Sequence, residues 1–349
     1  MLRIGIIGFG YMGHFHLDRI RKTGKADVVA IMDIRPEKIE QAKEEGIKGF
    51  FDLNEFLKVE MDLVVICTPN NWHSIYSIKA LKAGKHVMCE KPATLSALEL
   101  KQVMKCAYTN GKIFTVHQNR RWDVDYKVVY DVVNKRTIGR ISTIESRVLG
   151  ERGVCYGWRG DPEAGGGMLY DWGVHLIDQM LQLFPSEKVT SVYARMNSIL
   201  TPSVDDYFDL QIMFSNDVCA HITVGTFALQ KLPRWFVFGD RGTLKLDDFS
   251  GKNGGITRIR GEVRGFDSVL GKKNLGPSRT MAPLEKDQLE EIELTVQDSE
   301  ELTYWNNLVA SVEGKEIPYV QPKDVLRQMK IVEAAFLSSK DNRVIKTYI

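Results

Sequence analysis

The segment Gly165-Gly166-Gly167-Met168-Leu169-Tyr170-Asp171-Trp172-Gly173-Val174-His175 runs three glycines into a helical pattern that carries Asp171 and His175 four residues apart. On an α-helix that spacing is little more than one turn, so both side chains project from one face, and Asp178 shares it. An imidazole placed there can accept a proton near neutral pH, and a carboxylate one turn away can orient it or hold a substrate hydroxyl. Without Cβ atoms, Gly165, Gly166 and Gly167 let the backbone pass close to a ligand. A histidine beside an aspartate on a helix is also a common surface pair. The chemistry therefore depends on what else the chain brings to the same place.

Gly8-Phe9-Gly10-Tyr11-Met12-Gly13 follows a short apolar run and opens a helical pattern. This is the G-x-G-x-x-G arrangement. Gly8 permits the tight turn, Gly10 a close approach to a pyrophosphate, and Gly13 close packing of helix on strand. The phosphates would sit at the positive end of the helix. Asp33 stands about twenty residues further on, where an acid accepts the ribose hydroxyls. A carboxylate there repels the 2′-phosphate of NADP and favours NAD, although Arg35 could accommodate that phosphate and keeps NADP open. Nothing supplies a second pocket for a flavin. Thr68-Pro69-Asn70 and Glu90-Lys91-Pro92 each follow a strand candidate at its carboxyl end, where open α/β sheets bind ligands. They add Thr68, Pro69, Asn70, Glu90 and Lys91 to the expected cofactor edge, and His73 follows them toward it. Pro92 restricts Lys91 and aims its side chain.

These residues must be held by elements, and the chain has room for them. Its 349 residues suit two domains. A content of 44% hydrophobic and 26% charged residues describes a globular protein. Lysine plus arginine (47) nearly balances aspartate plus glutamate (45), which gives no electrostatic case for nucleic acid or an anionic membrane as partner. No apolar stretch approaches a membrane span of about 20 residues. The first residues enter a strand pattern directly, with no targeting signal. Five scattered cysteines without a C-x-x-C pair read as reduced thiols in a cytoplasmic protein, with no zinc or other metal site.

Leu2–Ile7, Val28–Asp33, Leu63–Cys67, His86–Cys89 and Ile113–His117 are short, nearly continuous apolar runs, as parallel strands covered on both faces should be. Helical spacing over Pro36–Glu45, Trp72–Ala83 and Ser96–Thr109 alternates with them. This predicts an N-terminal doubly wound parallel sheet of Rossmann type over residues 1–120. Beyond it, Val189–Met196, Tyr207–Phe214, Cys219–Phe227 and Trp235–Phe238 alternate apolar and polar residues. Helices are expected at Asp123–Lys135, Gly173–Phe184, Tyr304–Val312 and Pro322–Ser338, the last packing back on the first domain. Residues 121–349 thus read as an α+β domain with an open, mainly antiparallel sheet, for substrate binding and oligomerisation. The acidic run near Glu285–Glu293 reads as a solvated face.

With these motifs in this order, the chain resembles the Gfo/Idh/MocA oxidoreductases. The resemblance rests on Gly8–Gly13, on Glu90-Lys91-Pro92, and on Gly166-Gly167 leading into Asp171, Gly173, His175 and Asp178. It also rests on His117-Gln118-Asn119-Arg120-Arg121-Trp122-Asp123, whose wording is similar to the scyllo-inositol dehydrogenase branch. The resemblance implies that Lys91 hydrogen-bonds the reacting hydroxyl, that His175 is the general base, and that Asp171 binds substrate or orients the base. It also implies a homodimer or homotetramer formed through the open sheet. Arg121, Trp122, Tyr156, Trp158 and Arg159 offer the donors and aromatic faces that suit a polyhydroxylated ring. His14 and His16 read as helix-surface residues, and His86, His117 and His221 as structural ones.

The expected activity is NAD(P)-dependent oxidation of a secondary hydroxyl of a cyclic polyol, inositol or sugar. Two alternatives remain. One is glycoside cleavage or epimerisation with recycled NAD. The other is a non-catalytic nucleotide sensor, against which Lys91, Asp171 and His175 together argue.

Overall fold

The computed structural model describes residues 1–155, 157–261, 283–297 and 302–349. Six short strands, β1 (Leu2–Ile7), β2 (Ala26–Met32), β3 (Lys48–Phe50), β4 (Leu63–Ile66), β5 (His86–Cys89) and β6 (Phe114–Val116), form a wholly parallel sheet in the order β3-β2-β1-β4-β5-β6. Helices α1 (Tyr11–Lys22), α2 (Pro36–Glu44), α3 (Leu53–Leu57), α4 (His73–Lys82) and α5 (Ala97–Thr109) connect them. All four residues of β4, Leu63, Val64, Val65 and Ile66, are fully buried. That is what a central parallel strand packed on both faces requires. The strand order reverses beside β1, which puts the crevice for a ligand above β1 and β4.

The rest of the chain builds a nine-stranded sheet. After α6 (Val124–Asn134) and β7 (Ile141–Leu149) come α7 (Val174–Leu183), β8 (Val189–Asn197), β9 (Tyr207–Phe214) and β10 (Cys219–Gly225). Strands β11 (Trp235–Gly239), β12 (Gly242–Leu246), β13 (Gly254–Ile259) and β14 (Leu289–Ile292) extend it. Helices α8 (Thr303–Val312) and α9 (Pro322–Asp341) and strand β15 (Ile345–Lys346) close the chain. The order is β14-β13-β12-β11-β7-β10-β9-β8-β15, antiparallel except for β10 beside β7. Phe208, Leu210, Ile212 and Phe214 of β9 point into the core, and Asp209, Gln211 and Met213 point away from it. Strand β7 escaped the sequence reading because its outward residues include Glu145 and Arg147, at home on a face open to water. The acidic run is largely exposed, but Glu290 and Glu291 lie in an edge strand, bonded to Arg258 and Thr257.

Helix α9 packs on α5 and β6 as well as on β8. Glu333 accepts a hydrogen bond from the Ala97 N–H (2.7 Å), capping α5, and the Thr115 hydroxyl donates to the Val320 carbonyl just before α9. No helix among the described residues is long and apolar enough to cross a membrane.

Candidate active site

A cleft of about 250 Å³ opens where the carboxyl ends of β1, β4 and β5 face the start of α7. One wall carries Met12, Thr68, Asn70, His73, Glu90 and Lys91, with Cys67 behind them. The other carries Asn119, Arg120, Trp158, Arg159, Asp171, Trp172 and His175.

Lys91 reaches across the cleft. Its Nζ lies 2.6 Å from Asp171 Oδ1 and 3.0 Å from the Asp171 carbonyl oxygen. Burial works to raise the Asp171 carboxyl, but the Lys91 ammonium, aided by Arg159 and Arg120, outweighs it and holds the group below the usual carboxylate range. Arg159 Nε is 3.7 Å from the other carboxylate oxygen, and its guanidinium lies over the Trp158 ring. Asp171 therefore pairs with Lys91 and Arg159, not with His175.

His175 is nearly enclosed, and its Nδ1 is 3.1 Å from Gln118 Oε1. Burial first, then the positive charges of Lys91 and Arg120, push its pKa well below the ordinary imidazole value. The ring is neutral at pH 7, the state a proton acceptor needs.

Residues Leu169–Gly173 form one wide turn of π-helix before α7 begins at Val174. The extra residue explains what a plain helix would not. A π turn winds more slowly than an α-helix, so the seven-residue spacing no longer brings Asp178 back to the face of Asp171. Asp178 is buried and accepts two hydrogen bonds of 2.7 Å from Arg121 instead of entering the cleft.

Below Lys91, the Glu90 carboxylate is clamped. Oε1 accepts from His16 Nε2 (2.7 Å) and His117 Nδ1 (2.9 Å), and Oε2 from the Lys91 N–H. Burial tends to raise Glu90, but the two imidazoles win and keep it ionised. His16 is completely buried, its pKa pushed down to about 4 by that burial, so its expected place on the helix surface is corrected. These three side chains are the one His/Cys/Asp/Glu set among the described residues whose ligand atoms lie within 4.8 Å of one another. Their bonds to each other make them a brace.

Sequence models of the Gfo/Idh/MocA oxidoreductases match almost the whole chain, the NAD-binding Rossmann fold over residues 2–118 and the C-terminal alpha/beta domain over residues 131–347. The chain belongs to the Gfo/Idh/MocA oxidoreductase family. Scyllo-inositol 2-dehydrogenase (NADP(+)) IolW of Bacillus subtilis is 28% identical over 356 residues, covering 99% of this chain and 95% of that one. Myo-inositol 2-dehydrogenase of Thermotoga maritima is 30% identical over 198 residues, 55% of this chain and 58% of that one. The crystal structure of an NAD-binding protein from Listeria innocua superposes with a TM-score of 0.89 at 35% identity, covering 99% and 97% of the two chains.

A Gfo/Idh/MocA oxidoreductase needs a place for NAD(P), and the residues here fit it. Gly8 has φ +91°, and a Cβ on it would lie 2.7 Å from the Cys67 carbonyl oxygen, so only glycine serves. Gly10 is different: φ is −82°, and a Cβ would meet nothing nearer than Arg35 at 3.8 Å. The fold tolerates a side chain there, so its absence keeps space for a ligand. Helix α1 begins at that point with no side-chain cap and no acid in its first turn, leaving N–H groups free for phosphate. Thr68 Oγ1 and Asn70 Oδ1 are buried on the cleft wall without partners.

Several expected contributors to this family's site act indirectly or lie elsewhere. Phe9 is buried, and its N–H donates to Asp33. Tyr11 is exposed, and Pro69 precedes the short turn Asn70–Trp72. His73 braces the loops of Thr68 and Pro92, its ring nitrogens 2.9 and 2.7 Å from their carbonyl oxygens. Arg121 and Trp122, expected to bind substrate, do not line the cleft. Arg121 is taken up by Asp178 and the Tyr319 carbonyl, and Trp122 packs on Tyr304 and Tyr319. Residues Asn119–Trp122 form a 3₁₀ turn that instead sends Asn119 and Arg120 to the cleft. Sequence reasoning missed Arg120, Asn119, Trp172 and Gln118, although all lie within the segments that it singled out. Tyr156 lies outside the described residues.

Proposed function

We propose that this oxidoreductase oxidises a secondary hydroxyl of a cyclic polyol, inositol or sugar, with His175 as the general base. The observation that carries this reading is the convergence of Lys91, Asp171 and His175 in one cleft that Met12 of the glycine fingerprint also lines. Gly8–Gly13, Asp33, Arg35, Thr68, Asn70 and the Glu90–Lys91 edge would hold the cofactor. Once bound, the nicotinamide supplies the hydride acceptor, and the protein must supply a proton acceptor and charge stabilisation.

Lys91 has three N–H donors and directs two bonds at Asp171, so one remains for a substrate oxygen and can stabilise developing alkoxide charge. The neutral His175 ring takes the hydroxyl proton at the nitrogen not bonded to Gln118. Asp171 has an oxygen left to accept a neighbouring hydroxyl, and Arg120 and Arg159 donate to others. Trp158 and Trp172 offer faces to ring C–H groups. IolW, a relative spanning the whole chain, is named for an inositol, which agrees with this donor set.

The acid that follows β2 bears on cofactor choice. Asp33 accepts from the Phe9 and Arg35 N–H groups (2.8 and 3.0 Å) and pairs with the Arg35 guanidinium (3.2 Å). Burial tends to raise its carboxyl, but Arg35 and the backbone donors outweigh it. With that charge matched, repulsion of a 2′-phosphate is weak, so we infer that the chain uses NADP as well as NAD. A panel of inositols, aldoses and glycosides, assayed for nicotinamide reduction with both cofactors, tests the reading. Reduction by a ring polyol or sugar is expected. A protein that binds NAD(P) yet reduces it with none of them would sink the proposal.

A further inference from the structure

We propose that two glutamines, Gln118 and Gln328, act as positioning residues that fix the tautomer of His175, so that Nε2 is the proton-accepting nitrogen. This rests on His175 being the base.

The carbonyl oxygen of Val174, the residue before His175, can only accept. The side-chain amide nitrogen of Gln328 is bonded to it. Gln328 must therefore turn its own oxygen the other way, where it accepts from Gln118 Nε2 at 3.1 Å. That commits Gln118 to presenting Oε1 to His175 Nδ1, also at 3.1 Å. An amide oxygen cannot donate, so the proton of this contact must sit on Nδ1. A neutral imidazole with Nδ1 protonated carries its lone pair on Nε2.

Amide orientations are ordinarily open to reversal by flipping. Here no flip survives. Turning Gln118 alone leaves two amide oxygens face to face, and turning Gln328 alone sets two NH₂ groups against each other. Turning both sets Gln328 Oε1 against the Val174 carbonyl oxygen. Gln118 and Gln328 are 1% and 0% exposed, so solvent offers no replacement partner. A buried polar group left without a partner is costly, which biases the tautomer strongly. Neither glutamine lines the cleft, and burial beside Lys91 and Arg120 keeps the ring neutral, the state in which a tautomer must be chosen.

The relay joins parts of the chain far apart. Gln118 follows β6 of the first domain, and Gln328 lies 210 residues later in α9. Helix α9 thus reaches the reacting atom without touching substrate. Its docking against the first domain carries chemical information as well as packing.

The test begins with the unaltered protein. Two-bond ¹H–¹⁵N correlation spectra of histidine-labelled protein at pH 7.5, with His175 assigned by loss of its signals in His175→Ala, report the tautomer directly. A protonated Nδ1 is expected. A protonated Nε2 overturns the relay, whatever the variants do. Gln328→Met removes the polarity at similar volume. It should lower kcat by about 10- to 100-fold, leave KM within about threefold, and mix the tautomers. Unchanged kcat with an unchanged tautomer overturns the proposal. Gln118→Glu keeps an acceptor at Nδ1 and adds negative charge, at the cost of the bond that Gln118 Nε2 donates to Gln328. It should retain the Nδ1-protonated ring and move the acid limb of kcat/KM upward, a shift that loss of packing would not produce. An unmoved limb with the tautomer lost counts against the relay. The underlying reading fails separately, if His175→Ala keeps the wild-type kcat.

Discussion

The two walls of the cleft are built in different ways. On the cofactor side the working groups are mostly backbone: the turn at Gly8, the open space at Gly10, and the free N–H groups of α1. Around the reacting hydroxyl the central groups, from both walls, are side chains that depend on partners distant in sequence. Lys91 is aimed by Asp171, Glu90 by His16 and His117, and His175 by Gln118 and Gln328. A backbone cradle is written within a few consecutive residues. A side-chain network exists only once the chain has folded. If this contrast is real, damage to the two walls should separate cleanly into lost binding and lost turnover.

The largest separation is expected at His175. His175→Ala should lower kcat by about 10²–10⁴-fold and leave the Kd for NAD(P) nearly unchanged, as read by fluorescence titration. Parallel loss of cofactor binding would erase the distinction between the walls. The pH profile sharpens the same point. The base works when neutral, so activity is lost as pH falls through its pKa. Because burial, Lys91 and Arg120 all push that value down, the acid limb of kcat/KM should lie below the ordinary imidazole value of about 6.5. A limb above that value would contradict the electrostatic account.

The converse experiment is Gly10→Ala. Its φ of −82° and the open space around a Cβ mean that the free protein should melt as the wild type does. A methyl forced against a bound pyrophosphate costs about 1–3 kcal/mol, which corresponds to roughly 5- to 150-fold weaker binding of either cofactor. With cofactor saturating, kcat should recover. Unchanged affinity would show that Gly10 does not face the ligand.

The same contrast explains what could be read from the sequence. The parallel sheet was legible because strands such as Leu63–Ile66 are apolar on both faces, and the glycine fingerprint because its residues are consecutive. Lys91, Asp171 and His175 could be singled out by residue type and spacing, and the structure brings them to one cleft. Their pairing could not be foreseen. The π turn at Leu169–Gly173 breaks the periodicity that would have put Asp178 beside them, and no local pattern announces it. His16 falls in the helix that follows the glycines, and nothing in its neighbours shows that α8 will cover it, with Trp305 5.4 Å away. Gln328 carries no signal at all without the fold.

Adjacent arginines give the finest test, because Arg120 and Arg121 differ only in which way a 3₁₀ turn points them. Arg121 is enclosed and forms a two-bond pair with Asp178, itself buried, so Arg121→Ala strands a carboxylate. Breaking such a pair costs about 3–5 kcal/mol, which urea denaturation would measure, and turnover by the surviving folded fraction should stay near wild type. Arg120 is partly exposed, pairs with Asp123 at 2.8 Å, and lies 4.0 Å above the Trp172 ring at the cleft wall. A pair of that kind contributes about 1 kcal/mol or less, so Arg120→Ala should melt almost normally. Its loss should appear as a KM for the substrate raised about tenfold, the value of one hydrogen bond from a charged donor. An exchange of the two outcomes would mean that the turn presents Arg121 to the cleft. The substrate wall would then follow the sequence reading instead of the network described for it.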